Sequence, residues 1–202
     1  MENIIHTIGY STFSIDEFIE TIKSYGITAV ADVRSSPYSK FKPEFNKKDL
    51  QKKLSEHNIA YVFLGPELGA RVDMPECYVN NKVDFRLVAQ HDIFHGGIDR
   101  VRTGMEKFSL ALMCAEKDPI TCHRTILICR ELRALNIKIF HILENGKMEK
   151  HSDTEKRLLS LFDLHEPSIF ETIEQRLDRA YNLQAKKIAY KTKHDILEES
   201  YY

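Results

Sequence analysis

The sequence has almost no net charge: 29 Lys and Arg stand against 30 Asp and Glu, leaving −1 over 202 residues. A whole-protein electrostatic grip on nucleic acid is therefore not indicated, although a local basic mouth stays compatible with one. Long apolar runs are missing as well. None approaches the length of a bilayer span, so no membrane partner is expected. The opening Met1-Glu2-Asn3-Ile4-Ile5-His6 carries an acid and only a short apolar stretch, unlike a secretory leader. Cysteine is scarce, and Cys77, Cys114, Cys122 and Cys129 show no regular disulfide spacing. Reduced thiols in the cytoplasm are the expectation. The remaining balance, 43% hydrophobic and 29% charged, is that of an ordinary globular chain long enough for one sizeable core.

Periodicity then predicts the elements. Ile4 to Ile8 reads as a buried strand ending at Gly9. Ser14 with Glu17 forms a capping box, Phe13 with Phe18 a hydrophobic staple, and Gly26 closes the helix between them. Thr28 to Val33 is apolar enough for a strand buried on both faces. A second staple, Phe45 with Leu50, starts another helix at Asn46 and Asp49. Ile59 to Leu64 reads as the third strand, and Gly65 to Asn81 as an irregular stretch over a site. Val83 to Ala89 is read as helical. Phe94, Ile98, Val101, Met105 and Phe108 recur at helical spacing. Ser109 to Cys114 is the next strand, Cys122 to Leu135 the next helix, and Ile137 to Leu143 the last strand.

Strands alternating with helices, without hairpin signals, predict an α/β fold: a mostly parallel central sheet with helices on both faces. Residues 1–145 would form that domain. Residues 146–202 would form a C-terminal helical extension packed on it, with helices at Ser152 to Phe162 and at Pro167 to Tyr181. Ser168 with Glu171 is read as the second helix's capping box. The tail from Gln184 to Tyr202 is read as solvated or frayed, with a docked arm or a homodimer contact as the alternatives.

In open parallel sheets ligands bind beyond the carboxyl ends of the strands. That rule collects Tyr10 and Ser11, then Asp32, Arg34 and Ser39, then Cys114, Glu116, Cys122, His123 and Arg124 on one rim. A helix start at Cys122-His123-Arg124 presents unpaired N–H groups and a positive dipole end, and Arg124 would add a clamp on a bound oxyanion. The same field would favour a Cys122 thiolate. Glu116 and His123 are the proton-transfer candidates. Cys129 and Cys114 are read as core, and the other histidines as satisfied surface or core residues. The Cys114, Cys122, His123 spacing matches no standard zinc pattern, so neither a metal nor another cofactor is expected.

These residues also carry a resemblance. His6-Thr7-Ile8-Gly9-Tyr10-Ser11, Asp32-Val33-Arg34 through Pro37 and Ser39, Pro43-Glu44-Phe45, Leu68-Gly69 and Leu112-Met113-Cys114-Ala115-Glu116 through Cys122-His123-Arg124 resemble the family called domain of unknown function 488. Many of its members carry His where this chain has Tyr10, and Gly-Gly where it has Gly69-Ala70. The resemblance implies one shared rim site and leaves the reaction open. A looser likeness to rhodanese or cysteine-phosphatase loops fails on spacing, because Cys122 lies only two residues before Arg124.

Three readings of function follow. The first is an enzyme, hydrolase or transferase, acting on a phosphate-bearing small molecule such as a nucleotide or nucleoside derivative. Arg34 and Arg124 would hold the anion beside Glu116, Cys122 and His123. The second is a non-catalytic nucleotide or nucleic-acid binding module with Lys40, Lys42, Lys47, Lys48 and Arg71 as a basic apron. The third is thiol redox chemistry between Cys114 and Cys122.

Overall fold

The structure, a computed structural model, describes residues 3–192. Its chain starts in β1 (Ile4–Gly9) and α1 (Ile15–Ser24). The predicted capping box is present: the Ser14 side chain accepts from the Glu17 N–H, and the Glu17 carboxylate accepts from the Ser14 N–H at 2.8 Å. Next come β2 (Ala29–Asp32), α2 (Lys47–Glu56) and β3 (Ala60–Phe63). Phe45 and Leu50 are fully buried at the start of α2. Each such side chain contributes about 1.5–3 kcal/mol by leaving water.

The stretch read as irregular holds a short helix, α3 (Gly65–Leu68), and the first strand of a small hairpin, β4 (Tyr78–Val79) with β5 (Lys82–Val83). Leu68, Val72, Met74 and Cys77 anchor it in the core. Beyond it lie α4 (Phe85–Ala89), α5 (Asp92–Met105) and β6 (Leu110–Cys114). A π-helical turn, Arg124–Cys129, runs into α6 (Arg130–Ala134), followed by β7 (Lys138–Ile142).

Two expectations for the remainder are corrected. The strand at β7 is not the last, because β8 (Met148–Lys150) returns antiparallel beside it. The turn between them holds Asn145-Gly146, with Gly146 at φ 73°. That dipeptide is a hairpin signal, since only such residues take positive φ at low cost. After α7 (His151–Leu161), α8 spans Ile173–Ile188 rather than starting at Pro167. Its capping box is Thr172 with Gln175; Ser168 instead accepts from the Phe170 and Glu171 N–H groups in a turn. Of the tail, Gln184 to Ile188 completes α8. Tyr190 and Thr192 then bond to the β4–β5 hairpin. The rest of the tail lies outside the described residues.

The six-stranded sheet has the order β3-β2-β6-β1-β7-β8, parallel except for β8. Strand alternation sorts the side chains. Ile8, Val30, Ala111, Met113 and Ile142 face α1 and α2, while Ala29, Ala31, Leu110, Leu112 and Cys114 face α5, the π-turn, α7 and α8. The connections leaving β1 and β2 therefore cross one face, and the connection leaving β6 crosses the other. Since β6 lies between β2 and β1, its carboxyl end opens a crevice on both flanks, the arrangement in which α/β sheets bind ligands. No described helix is long and apolar enough to cross a membrane.

Candidate functional site

Cys114 ends β6 on the face covered by the π-turn, and the next eight residues loop back to bring Cys122 beside it. The loop is held from several sides. Gly9 at the end of β1 lies so close that a Cβ there would stand 1.9 Å from the Glu116 carbonyl oxygen. Asp118 accepts from the Ile120 N–H and pairs with Arg157 at 3.0 Å. Gln184 of α8 donates to the Ile120 carbonyl at 2.7 Å. Gly9→Ala should push Glu116 outward and cost about 1–3 kcal/mol through overpacking. Urea unfolding of that variant, together with faster alkylation of its cysteines, checks this; unchanged curves and rates would refute it.

Four side chains meet at this loop. Single ligand atoms of Cys114, Glu116, Cys122 and His123 all lie within 4.8 Å of one another. Glu116 Oε2 stands 3.0 Å from Cys114 Sγ and 3.1 Å from Cys122 Sγ. An oxygen and a sulfur this close need a proton between them. His123 Nδ1 lies 3.8 Å from each sulfur. Its Nε2 is 2.9 Å from the Val33 carbonyl. A carbonyl can only accept, so Nε2 carries a proton and Nδ1 faces the sulfurs, with a lone pair there whenever the ring is neutral. Cys114 and Cys122 are 3% and 1% exposed. Glu116, by contrast, is an exposed residue with one oxygen turned inward.

The charges answer one another. Burial would raise the Cys122 thiol, but its hydrogen bond with Cys114 and the positive Arg124 and His123 bring it well below the ordinary range. Cys114 moves upward, through its bond to Cys122 and then through burial. Glu116 is raised by burial and by the negative Cys122. His123, which burial would lower, is raised by Cys122 and Glu116. The group behaves as one proton-sharing unit.

Arg124 takes a different place from the one its position in the sequence suggested. It is 0% exposed, with its donors engaged by the Glu116 carbonyl at 2.5 Å, the Lys117 carbonyl at 3.3 Å and Thr7 Oγ1 at 3.4 Å. It latches the loop to β1 and has no donor face open to solvent. The N–H at the helix start also has an internal acceptor, since Arg124 N–H points to Cys122 Sγ at 3.5 Å. The acceptor at this helix start is the chain's own sulfur.

The other rim residues divide. Arg34 pairs with Asp32 at 2.6 Å, donates to the Phe45 carbonyl and lies over the Tyr10 ring at 4.9 Å. Tyr61 donates to the same Asp32 carboxylate. Arg34 Nη1 is buried without a partner. Tyr10 is itself buried, stacked on Phe45 at 4.4 Å. Ser11 is exposed and donates its N–H to the Ala115 carbonyl, beside the cluster. Ser39 shapes its own loop through Asn46 and Lys42. In the proposed basic apron, Lys42 donates to the Phe13 carbonyl, Lys47 lies over Phe63 and Arg71 over Tyr190.

Two features escaped sequence reasoning. One is a charged cleft of about 410 Å³ at the residues that follow Glu116, lined by Lys117, Asp118, Glu144, Glu149 and Arg157. The other is a buried hydrogen-bonded chain leading away from Arg124. Thr7 and His141, register partners on β1 and β7, are 2.7 Å apart; His141 reaches His151 at 2.8 Å; His151 reaches Tyr181 at 3.0 Å; and Tyr181 donates to Glu155 at 3.1 Å. Every member has one donor for one acceptor if both rings are neutral and run Arg124 to Thr7 to His141 to His151 to Tyr181 to Glu155. No sequence spacing announces such a chain, because its members come from β1, β7, α7 and α8.

Comparison with known proteins adds one finding. The family model described as Domain of unknown function DUF488 matches residues 14–130, more than half of the chain, and that stretch contains Asp32, Arg34 and the entire Cys114-to-Arg124 loop. No curated protein and no solved structure matches. With its strand-end cysteines inside the matched stretch, the chain belongs to the family of the domain of unknown function DUF488.

Proposed function

We propose that this chain is an enzyme acting on a small phosphate-bearing molecule, with its reacting groups at the carboxyl end of β6. The observation that carries this reading is the position of Glu116: one oxygen lies on two buried sulfurs, while the residue itself is exposed and is followed in the chain by Lys117 and Asp118, which line the charged cleft. A group placed so can pass a proton between a bound substrate and the thiol pair. Cys122 and His123 complete the reacting set. The anion contact falls to Lys117 and Arg157, whose carboxylate partners Glu144, Asp118 and Glu149 are groups that a phosphate can displace. Arg34, the buried cation with a free Nη1, completes the positive edge near β2.

A panel of nucleotides and phosphate monoesters provides the test. On any substrate that turns over, Glu116→Gln should lower kcat by about 100-fold, within the usual range for general acid–base groups, with KM little changed. Lys117→Ala should raise KM instead. Full turnover in Glu116→Gln would end this assignment. The thiol-redox reading draws on the same two sulfurs; a Cys114–Cys122 disulfide formed by mild oxidant, with no turnover of any phosphate substrate, would favour it.

A further inference from the structure

We propose that Cys114, Cys122, His123 and Glu116 form a site for one zinc ion, with the two sulfurs and His123 Nδ1 as its inner face and Glu116 as the ligand next to solvent. The inference rests on the site of the preceding section and names its cofactor. It replaces the expectation of no metal, which came from linear spacing; the fold supplies the proximity that the spacing lacked.

Geometry is the first support. Zinc binds thiolate at about 2.3 Å and imidazole or carboxylate at about 2.0–2.2 Å in a tetrahedron, which sets donor–donor edges of about 3.3–3.8 Å. His123 Nδ1 already stands 3.8 Å from both sulfurs. Glu116 Oε2 is closer, at 3.0 and 3.1 Å, the separation of proton-bridged pairs. It has to retreat by about half an ångström to reach a tetrahedral edge. As a solvent-facing side chain it is the member of the four freest to do so. The ion takes lone pairs from the two sulfurs, and the protons held in the cluster leave to solvent.

The surroundings are the second support. Metal-bound histidines almost always donate their other N–H to an oxygen that fixes the tautomer, and His123 Nε2 does so to Val33. Cys122 Sγ accepts the Arg124 N–H, a bond that lowers the charge on a ligand sulfur. Two thiolates, one carboxylate and a divalent ion leave one negative charge. Arg124, fully enclosed with only carbonyl and hydroxyl oxygens as hydrogen-bond partners, supplies one positive charge. A buried cation so placed is costly unless a negative group faces it. The donor set selects the ion: two soft sulfurs with one imidazole favour zinc over magnesium or calcium. The exposed fourth ligand, Glu116, is the one that water or a substrate oxygen can replace, which would leave three protein ligands and the open position of a catalytic site.

The full chain, freed of metal by a chelator and returned to reducing buffer, is titrated with Zn²⁺ against a chromophoric competitor and separately with Co²⁺. One equivalent should bind. The Co²⁺ form should show the visible bands of a tetrahedral ion and the charge-transfer intensity of two thiolates. Cys114→Ser and Cys122→Ser should each weaken Zn²⁺ binding by at least about 100-fold, and Glu116→Gln by about 10-fold. Cys77→Ser and Cys129→Ser should leave it unchanged. Should the cysteine variants fail to fold, the thiolate count in the wild-type Co²⁺ spectrum decides alone. No binding at micromolar ion, or a spectrum without thiolate bands, would overturn the proposal. Absent binding alongside a Glu116→Gln variant dead in turnover would remove the metal and keep the enzyme. Tight binding with every variant fully active would do the reverse.

Discussion

Arg124→Met, measured on metal-free protein, should lose about 3–5 kcal/mol of stability in urea unfolding, the scale expected when one side of a buried charged network is removed. The guanidinium is fully enclosed and ties three points of the fold together: the Glu116 and Lys117 carbonyls on the loop after β6, and Thr7 on β1. Methionine has comparable length but no donors, so two part-buried carbonyls lose their partner, each at up to about 1–3 kcal/mol. It also uncovers the negative charge that Cys122 carries opposite Arg124. Arg124→Lys keeps the charge and loses the fork, and should fall between the two. Because whole domains are stable by only about 5–15 kcal/mol, the methionine variant should unfold at markedly lower urea. A loss under about 1 kcal/mol would show that the latch contributes little.

The second large effect is acid sensitivity from the His141–His151 pair. Both rings are buried and neutral. Burial and the Arg133 charge lower His151 to about 4, while burial, His151, Arg124 and Arg157 hold His141 well below its ordinary range. An unfolded chain protonates both near pH 6.5. Between pH 6.5 and 4 the unfolded state therefore binds protons that the folded state refuses. The stabilisation is complete above pH 6.5 and is lost as the pH falls toward 4. For His151 alone a difference of this size corresponds to about 3 kcal/mol. Structure agrees with the sign, since a second proton on His151 sets its Nδ1–H against the His141 Nε2–H, and one on His141 removes the acceptor of the Thr7 hydroxyl proton. Glu155, raised by burial, opposes this trend. Comparison with His151→Gln isolates the histidine. The urea midpoint of wild type should fall more steeply from pH 6.5 to 4.5 than that of the variant, and parallel slopes would exclude the pair as the cause.

Local signals in the sequence were sufficient for α1 and for the buried β2 and β6. The Ser14–Glu17 box and the Phe13–Phe18 staple act within six residues, so no distant contact can easily overrule them. Ser168–Glu171 has the same letters and does not cap a helix. Ile169 and Phe170 behind it remain 93% and 87% exposed; without an apolar face to bury, helix formation waited for Thr172 and Gln175. The Asn145-Gly146 turn is legible in the same local way and joins β7 to the antiparallel β8. Its signal was local and sound.

The site divides along the same line. The strand-end rule, applied to the residues alone, collected Glu116, Cys122 and His123 on one rim, because strand alternation and loop position are short-range properties. What each of them does there depended on contacts between distant segments. Burial turned Arg124 from a ligand clamp into a latch, and Asp32 took up Arg34. The fold keeps Cys114 in the core and also brings its sulfur into the cluster, and the cleft at Lys117 and Arg157 exists only because α7 packs beside the loop. The sequence by itself determined the α/β class and the address of the candidate site, since both follow from periodicity and chain direction. Only the tertiary structure decided that the four donors at that address face one another, because their separation is set by the return of the Glu116–Cys122 loop over Gly9 and not by any spacing along the chain.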